Sequence, residues 1–201
     1  MSVDCCCAVK PVMTTSSALI TNNIEQTSHA LKKGGVIAYP TEYCFGLGCD
    51  PQNAQAVERL LKVKGRTRDQ GVILIAGSVE QVIEYVDLDA SPIREQILAS
   101  WPGPNTWILP ALPVVSSWIK GKHSGVAVRV TAHKTSQQLC AAFGGALVST
   151  SANRHGHVAL LDSVSVSNEM NTELDIILDE LVGGAASAST IRDGMTGKQL
   201  R

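Results

Sequence analysis

Short apolar segments alternate with helix-like segments along most of this chain, and that alternation constrains the fold more than any other feature. Residues 72–76 form a continuous apolar run after Gly71, which is typical of a buried strand. Residues 54–64 instead place apolar side chains three or four positions apart, and Asn53 can cap a helix there. The repeated alternation predicts an α/β fold with a mixed sheet.

Further elements follow from the same reading of periodicity and turn signals. Helices are predicted at residues 24–33, from 92 onward and at 135–143, and strands at 36–39, 106–109, 126–130, 146–150, 175–178 and 189–191. Ser78 and Gln81 fit a capping box for one more helix. Within strand 126–130, Arg129 should point away from the face that carries the valines, because side chains alternate along a strand.

The composition fits one globular domain. The chain has 201 residues, of which 44% are apolar and 17% charged, so it can bury a substantial core. We expect the domain at residues 18–201, after a flexible tail at residues 1–17 that shows no period. No apolar run approaches the ~18 residues that span a bilayer, and no secretory signal pattern is present. A cytoplasmic protein without membrane contact is therefore expected.

Six cysteines occur, but no two have the C-x-x-C spacing of a zinc site. The neighbours Cys5, Cys6 and Cys7 cannot easily supply a tetrahedral site alone. Reduced thiols and no structural metal are the simpler expectation.

A cluster of cations stands out in a chain whose net charge is −1. Arg59, Lys62, Lys64, Arg66 and Arg68 lie within ten residues that contain no acid. If the chain is extended after Lys64, the last three cations project to one side and can hold a polyphosphate or a carboxylate. A solvated basic edge explains the cluster equally well.

Two polar segments follow predicted strands. They are Tyr-Pro-Thr-Glu at 39–42 and Ser-Thr-Ser-Ala-Asn at 149–153. Hydroxyls and amides at the carboxyl ends of strands commonly line ligand crevices in open α/β sheets, although turn and capping chemistry would also place them there. The P-loop, the dinucleotide fingerprint, the G-x-S-x-G elbow and the H-E-x-x-H motif are missing.

Seven short motifs occur in a fixed order. They are YPTE at 39–42, GLGCD at 46–50, KGR at 64–66, WPGPNT at 101–106, VAVRV at 126–130, STSAN at 149–153 and STIRD at 189–193. Together they resemble the YrdC/TsaC family of threonylcarbamoyl-AMP synthases over residues 18–201, in particular the short bacterial type with one domain. The resemblance implies a twisted mixed sheet flanked by helices, with a basic concave cavity.

The resemblance also implies an activity. Members combine L-threonine, bicarbonate or CO₂, and ATP to give L-threonylcarbamoyl-adenylate and pyrophosphate. A downstream transfer complex then modifies an adenosine of transfer RNAs that read ANN codons, and the enzyme itself could contact the transfer RNA. Mg²⁺ should arrive with ATP rather than on a protein site, because the sequence shows no obvious acidic cluster.

Residue roles at the nucleotide follow from matching the motifs. Lys64 and Arg66 match the K-x-R motif and should act as the catalytic pair on the ATP phosphates and the carbamate. Ser151 and Asn153 match the S-x-N motif and should bind the nucleotide and its phosphates. Arg201 falls where the family often has a late arginine near ATP.

By the same matching, the threonine pocket should consist of Thr41, Arg129, Ser149 and Ser189, with Arg129 on the carboxylate. Four positions depart from the family pattern and leave the substrate details open: Tyr43 after PTE, Thr67 after KGR, Arg154-His155-Gly156 after SAN, and Ala188 before STIRD.

Two alternatives compete with this hypothesis. The first is an RNA-binding module that uses the basic cavity without ATP turnover, although the net charge of −1 argues against strong binding driven by phosphate neutralisation. The second is a carbamoyl-adenylating domain similar to that of hydrogenase-maturation proteins, which normally accompanies acylphosphatase and zinc-finger modules.

Overall fold

The computed structural model describes residues 17–154 and 156–201. The described strands are β1 (Leu19–Thr21), β2 (Ile37–Pro40), β3 (Phe45–Gly48), β4 (Ile73–Ala76), β5 (Asn105–Pro110), β6 (Gly125–Val130), β7 (Leu147–Ser151), β8 (Ile176–Leu178) and β9 (Thr190–Asp193). The described helices are α1 (Ile24–Lys32), α2 (Ala54–Lys64), α3 (Val79–Val82), α4 (Arg94–Ala99), α5 (Ser117–Lys120), α6 (Lys134–Phe143) and α7 (Ser163–Met170). The predicted tail with Cys5–Cys7, apart from Ser17, and His155 lie outside the described residues.

The strands join in one open sheet with the order β1-β8-β2-β3-β7-β4-β6-β5-β9. β8 runs parallel to β1 and β2, whereas β3 is antiparallel to β2 and to β7. β7 also pairs antiparallel with β4, and β4 and β6 are parallel. β5 is antiparallel to β6 and parallel to β9. The prediction of an α/β fold with a mixed sheet is confirmed.

Helices cover both faces of the sheet. Because successive residues of a strand point to opposite sides, neighbouring residues of β2 belong to different core clusters. On β2, Ile37 and Tyr39 belong to a cluster with Leu31 of α1 and Leu139 of α6. Ala38, between them, belongs to the larger cluster on the opposite face. The larger cluster includes Val57, Leu60 and Leu61 of α2 together with Leu74, Val128 and Val148 of the sheet. The predicted orientation of the valines of β6 is therefore confirmed.

Some helix boundaries were predicted correctly and others were not. α2 has the predicted limits, and the Asn53 side chain accepts hydrogen bonds from Gln55 N and Ala56 N. The prediction of a capping box was wrong. Ser78 makes no capping hydrogen bond, and Gln81 Oε1 accepts from Gly77 N at 2.8 Å instead of from the backbone of Ser78. The helix predicted from residue 92 begins two residues later, at Arg94.

The described cysteines are buried free thiols rather than reactive groups. Among the residues that the structure describes, Cys44, Cys49 and Cys140 form no disulfide. Burial raises the pKa of Cys140 to about 12, so its thiol stays protonated and weakly nucleophilic. Among residues 17–154 and 156–201, no helix is long and apolar enough to cross a membrane.

Candidate active site

Lys64 joins two segments that are far apart in the sequence. It is the last residue of α2, and Gly65 ends the helix in the left-handed conformation. The Lys64 ammonium donates to the carbonyl and hydroxyl oxygens of Ser151 at 2.7 and 3.1 Å. It also donates to the carbonyl and side-chain oxygens of Asn153 at 2.5 and 2.6 Å. The fold thus brings the K-x-R and S-x-N motifs together.

The electrostatics of Lys64 suit a group that binds an anion. Lys64 as a whole is only 8% exposed to solvent. Burial, and next the positive charge of Arg66, lower the pKa of Lys64 to about 8. An ammonium has three hydrogens, and they are shared among four protein oxygens. An anion that binds here must therefore share or replace at least one of these contacts.

Arg66 and Arg201 line one cavity of about 570 Å³. Arg66 Nε donates to Gln70 Oε1 at 3.0 Å, and Arg201 Nη2 donates to the Ser189 carbonyl at 3.3 Å. Burial and the neighbouring Arg201 both lower the pKa of Arg66. The two guanidinium groups are therefore close enough to repel each other, and an anion between them would relieve that repulsion.

The remaining walls of this larger cavity combine an apolar surface with cations. The apolar part is formed by Val72, Ile73, Ile108, Ile119, Ala127 and Ile191. Sequence reasoning missed two further cations, Lys120 at the end of α5 and Lys122 beyond it, of which Lys122 pairs with Asp69 at 2.5 Å. None of the described lining residues is an Asp or a Glu. A flat apolar group and several negative charges fit such a surface together.

Arg68 does not take part, and its predicted convergence with Lys64 and Arg66 was wrong. Directly after α2, Gly65 takes the left-handed rather than an extended conformation. Residues Arg68–Gln70 form a 3₁₀ turn, and Arg68 pairs with Glu58 at 2.8 Å on the exposed surface. The left-handed Gly65 redirects the chain, so alternation of side chains no longer applies.

A second, smaller pocket of about 70 Å³ collects all four residues predicted to bind threonine. Thr41, Arg129, Ser149 and Ser189 all line it. Tyr43 and Ala188, two departures from the family pattern, also line this pocket, and so does Ser151. Ile73 lines both this pocket and the larger cavity, so the two spaces adjoin.

Arg129 carries hydrogen-bond donors that the protein does not use. Its side chain is 10% exposed, and Nη2 lies 3.4 Å from Glu42 Oε2. Arg129 Nε and Glu42 Oε2 have no hydrogen-bond partner within residues 17–154 and 156–201, although both are buried. Glu42 is held in place because its Oε1 accepts from Thr131 Oγ1 at 2.7 Å and from Ala132 N at 3.0 Å. A buried guanidinium with spare donors is suited to a carboxylate.

A loop that sequence reasoning missed lies against the Thr41–Glu42 segment. Gly183 N donates to the Thr41 carbonyl at 2.9 Å, and Ala185 N donates to the Glu42 carbonyl at 2.8 Å. His133 Nε2 contacts the Leu181 carbonyl at 3.0 Å. The only sequence signal for a special conformation here was the Gly183-Gly184 pair.

The chain matches one family model over most of its length. The Sua5/YciO/YrdC model, described as "Telomere recombination", matches residues 29–201. The chain belongs to the Sua5/YciO/YrdC family. The resemblance stated from the seven motifs is thereby confirmed.

Similar members of this family carry a common name. A "Threonylcarbamoyl-AMP synthase" of Methylococcus capsulatus is 44% identical over 174 residues, which are 87% of this chain and 94% of that protein. A protein of the same name from Halorhodospira halophila is 46% identical over 89% of this chain and 93% of its own length. The Stenotrophomonas maltophilia protein of that name is 47% identical over 85% of this chain and 93% of its own length.

Solved structures share the Sua5/YciO/YrdC fold. A P. abyssi Sua5 variant superposes with a TM-score of 0.84 and 27% identity, and this chain covers 60% of that longer protein. P. abyssi Sua5 complexed with L-threonine superposes with a TM-score of 0.79 and 28% identity, over 88% of this chain and 53% of Sua5. E. coli YciO, at 21% identity and a TM-score of 0.74, shows the fold alone.

Proposed function

We propose that this chain is a threonylcarbamoyl-AMP synthase, which makes L-threonylcarbamoyl-adenylate and pyrophosphate from L-threonine, bicarbonate or CO₂, and ATP. The observation that carries the proposal is the position of Lys64. Lys64 binds Ser151 of the small pocket, and Arg66, two residues later, lines the large cavity. A cation between the small pocket and the large cavity suits a reaction between a small substrate that carries a carboxylate and a nucleotide.

The chemistry needs this concentration of positive charge. The amine of threonine captures CO₂ as a carbamate, and a carbamate oxygen attacks the α-phosphate of ATP while pyrophosphate leaves. Arg129 holds the threonine carboxylate in the small pocket. Lys64 and Arg66 hold the carbamate and the α-phosphate together and stabilise the charge of the transition state. Ser151, Asn153 and Arg201 hold the nucleotide.

Mg²⁺ would arrive with ATP and would supply further charge neutralisation at its phosphates. The residues that line the described cavity offer cations and apolar groups rather than carboxylates, so they fit a metal that is bound by phosphate oxygens. The same cations fit the polyphosphate chain directly.

The product would be consumed by a separate transfer complex that modifies transfer RNA in the cytoplasm, and a direct contact of this chain with transfer RNA belongs to the same proposal. The RNA-binding module without ATP turnover is the weaker candidate, because the similar proteins reported above share the name of an enzyme. Salt-dependent RNA binding without pyrophosphate release would reverse this preference.

The proposal predicts pyrophosphate release that needs both co-substrates. With ATP and Mg²⁺ present, omission of either threonine or bicarbonate should reduce release to background. If a folded preparation released no pyrophosphate under any combination, the synthase hypothesis would be wrong. Release supported by carbamoyl phosphate instead would indicate the carbamoyl-adenylating activity.

Nucleotide affinity should weaken at alkaline pH because of Lys64. The pKa of this ammonium is lowered to about 8, so it is protonated below that pH and neutral above it. The cation that binds phosphate is thus present below pH 8 and lost as the pH rises. We expect the Kd of a non-hydrolysable ATP analogue to increase about tenfold between pH 7 and pH 9, as measured by calorimetry. Lys64→Ala should bind the analogue more weakly, and its Kd should not change with pH in this range. The same increase of Kd in both proteins would contradict the assignment of Lys64 to the phosphates.

A further inference from the structure

The phenol of Tyr39 makes one hydrogen bond that controls a residue of the small pocket. Tyr39 is fully buried, in a cluster with Ile75, Leu147 and Ile176. Its hydroxyl donates to Ser149 Oγ at 2.9 Å. Burial raises the pKa of Tyr39, so the phenol keeps its hydrogen. The direction of the bond follows from these surroundings, since a hydrogen turned away from Ser149 would be left in an apolar core.

This direction fixes what Ser149 can offer to a ligand. A serine hydroxyl has one hydrogen, and the bond from Tyr39 occupies one of its lone pairs. The Ser149 hydrogen is therefore free to donate into the pocket that Ser149 lines.

Thr41 offers the opposite polarity. Its hydroxyl donates to the Cys44 carbonyl at 2.7 Å, and a carbonyl oxygen can only accept. The single hydrogen of Thr41 Oγ1 is thus used, and only its lone pairs are left for a ligand. The small pocket therefore presents a donor at Ser149 and an acceptor at Thr41.

Gly46 keeps the space between these two side chains open. A Cβ atom at Gly46 would lie 3.4 Å from Thr41 Cγ2 and 3.5 Å from Ser149 Oγ. Even a methyl group there would touch both residues. A side chain at position 46 would therefore fill the space that borders the Thr41 methyl group and the Ser149 hydroxyl.

We infer that Tyr39 is a positioning residue that holds Ser149 as a donor, so that Ser149 and Thr41 together select a ligand with a side-chain hydroxyl. A hydroxyl accepts from Ser149 and donates to Thr41, whereas a carboxylate cannot donate and an ammonium cannot accept. Arg129 takes the carboxylate of the same ligand. This inference rests on the proposed function and adds how the amino acid is chosen.

The test compares L-threonine with L-valine, in which a methyl group replaces the hydroxyl. For Tyr39→Phe we expect the KM for L-threonine to rise about tenfold and kcat to stay within about twofold. The preference for L-threonine over L-valine in kcat/KM should fall about tenfold as well. A purely structural role of the phenol would leave that preference unchanged.

Two further variants make the test specific. Tyr85→Phe removes another largely buried phenol, which lines a different cavity with Gln52, and should leave the preference unaltered. In a Ser149→Ala background, Tyr39→Phe should cause no additional loss of preference, because Tyr39 acts through Ser149. An equal additional loss in that background would overturn the inference.

The proposed function and this inference can fail separately. Wild-type protein that releases no threonine-dependent pyrophosphate would contradict the synthase proposal. Wild-type activity with an unchanged preference in Tyr39→Phe would contradict only the role of Tyr39. Calorimetric titration with L-threonine alone gives a second readout, in which Tyr39→Phe should bind about tenfold more weakly and an unchanged Kd would count against the inference.

Discussion

Lys64→Ala should lower the rate of pyrophosphate release at least about 100-fold, the usual scale for loss of one preorganised group that stabilises transition-state charge. The ammonium is buried at the contact between α2 and the loop after β7, where it donates to Ser151 and Asn153. Its removal takes away both a cation and the link between the two segments that are proposed to bind the nucleotide. The rate should be measured with saturating threonine and bicarbonate.

The matched control for this variant is Lys62→Ala. Lys62 lies on the same helix, two residues before Lys64, but its side chain is exposed. We expect its rate to stay within about twofold of the wild type, because the charge of an exposed lysine is screened by solvent. Equal losses in both variants would show that the general positive charge of α2 matters rather than the position of Lys64.

Arg129→Met should nearly abolish the response to threonine and also weaken the fold. The guanidinium is buried with unused donors in the small pocket, so its loss removes the proposed partner of the threonine carboxylate. Glu42 would then be a buried carboxylate without a counter-ion, which costs about 3–5 kcal/mol of unfolding free energy. We expect a KM for threonine at least about 100-fold higher, with a lower midpoint in urea denaturation.

A second substitution separates stability from binding. Arg129→Met combined with Glu42→Gln removes both charges, and the glutamine oxygen can still accept from Thr131 and Ala132. This double variant should recover most of the stability but not the threonine response. Arg68→Ala is the matched control, because Arg68 forms an exposed pair with Glu58 and should change neither property. Recovery of threonine-dependent activity in the double variant would exclude Arg129 as the carboxylate ligand.

Elements with strong local signals could be predicted from the sequence, and elements that depend on neighbours could not. α2 has a capping Asn53 and a regular apolar face, and its limits were correct. β3 was missed because two of its four residues are glycines, which disfavour strands. Its pairing with β2 and β7 stabilises it, and Gly48 is needed because a Cβ there would come within 2.8 Å of the Tyr39 ring.

α7 was missed for a related reason. Three of its eight residues are serines, which compete with the helix by bonding to nearby backbone groups. Asp162 caps it by accepting from Ser165 N, and Val166 and Met170 are buried against the larger core. Tertiary packing of these two side chains outweighs the weak helix propensity.

The sequence by itself determined the α/β class, most strands and the family, because apolar periodicity and short motifs are local properties. It also named some of the residues that line the two adjoining cavities, namely Arg66 and Arg201 of the larger one and Thr41, Arg129, Ser149, Ser151 and Ser189 of the smaller one. Only the tertiary structure decided that Lys64 contacts Ser151 and Asn153, that Arg68 turns away, and that the hydrogen of Tyr39 points to Ser149. These features depend on side chains about 90 or 110 residues apart in sequence, and on one left-handed glycine, so no local pattern could fix them.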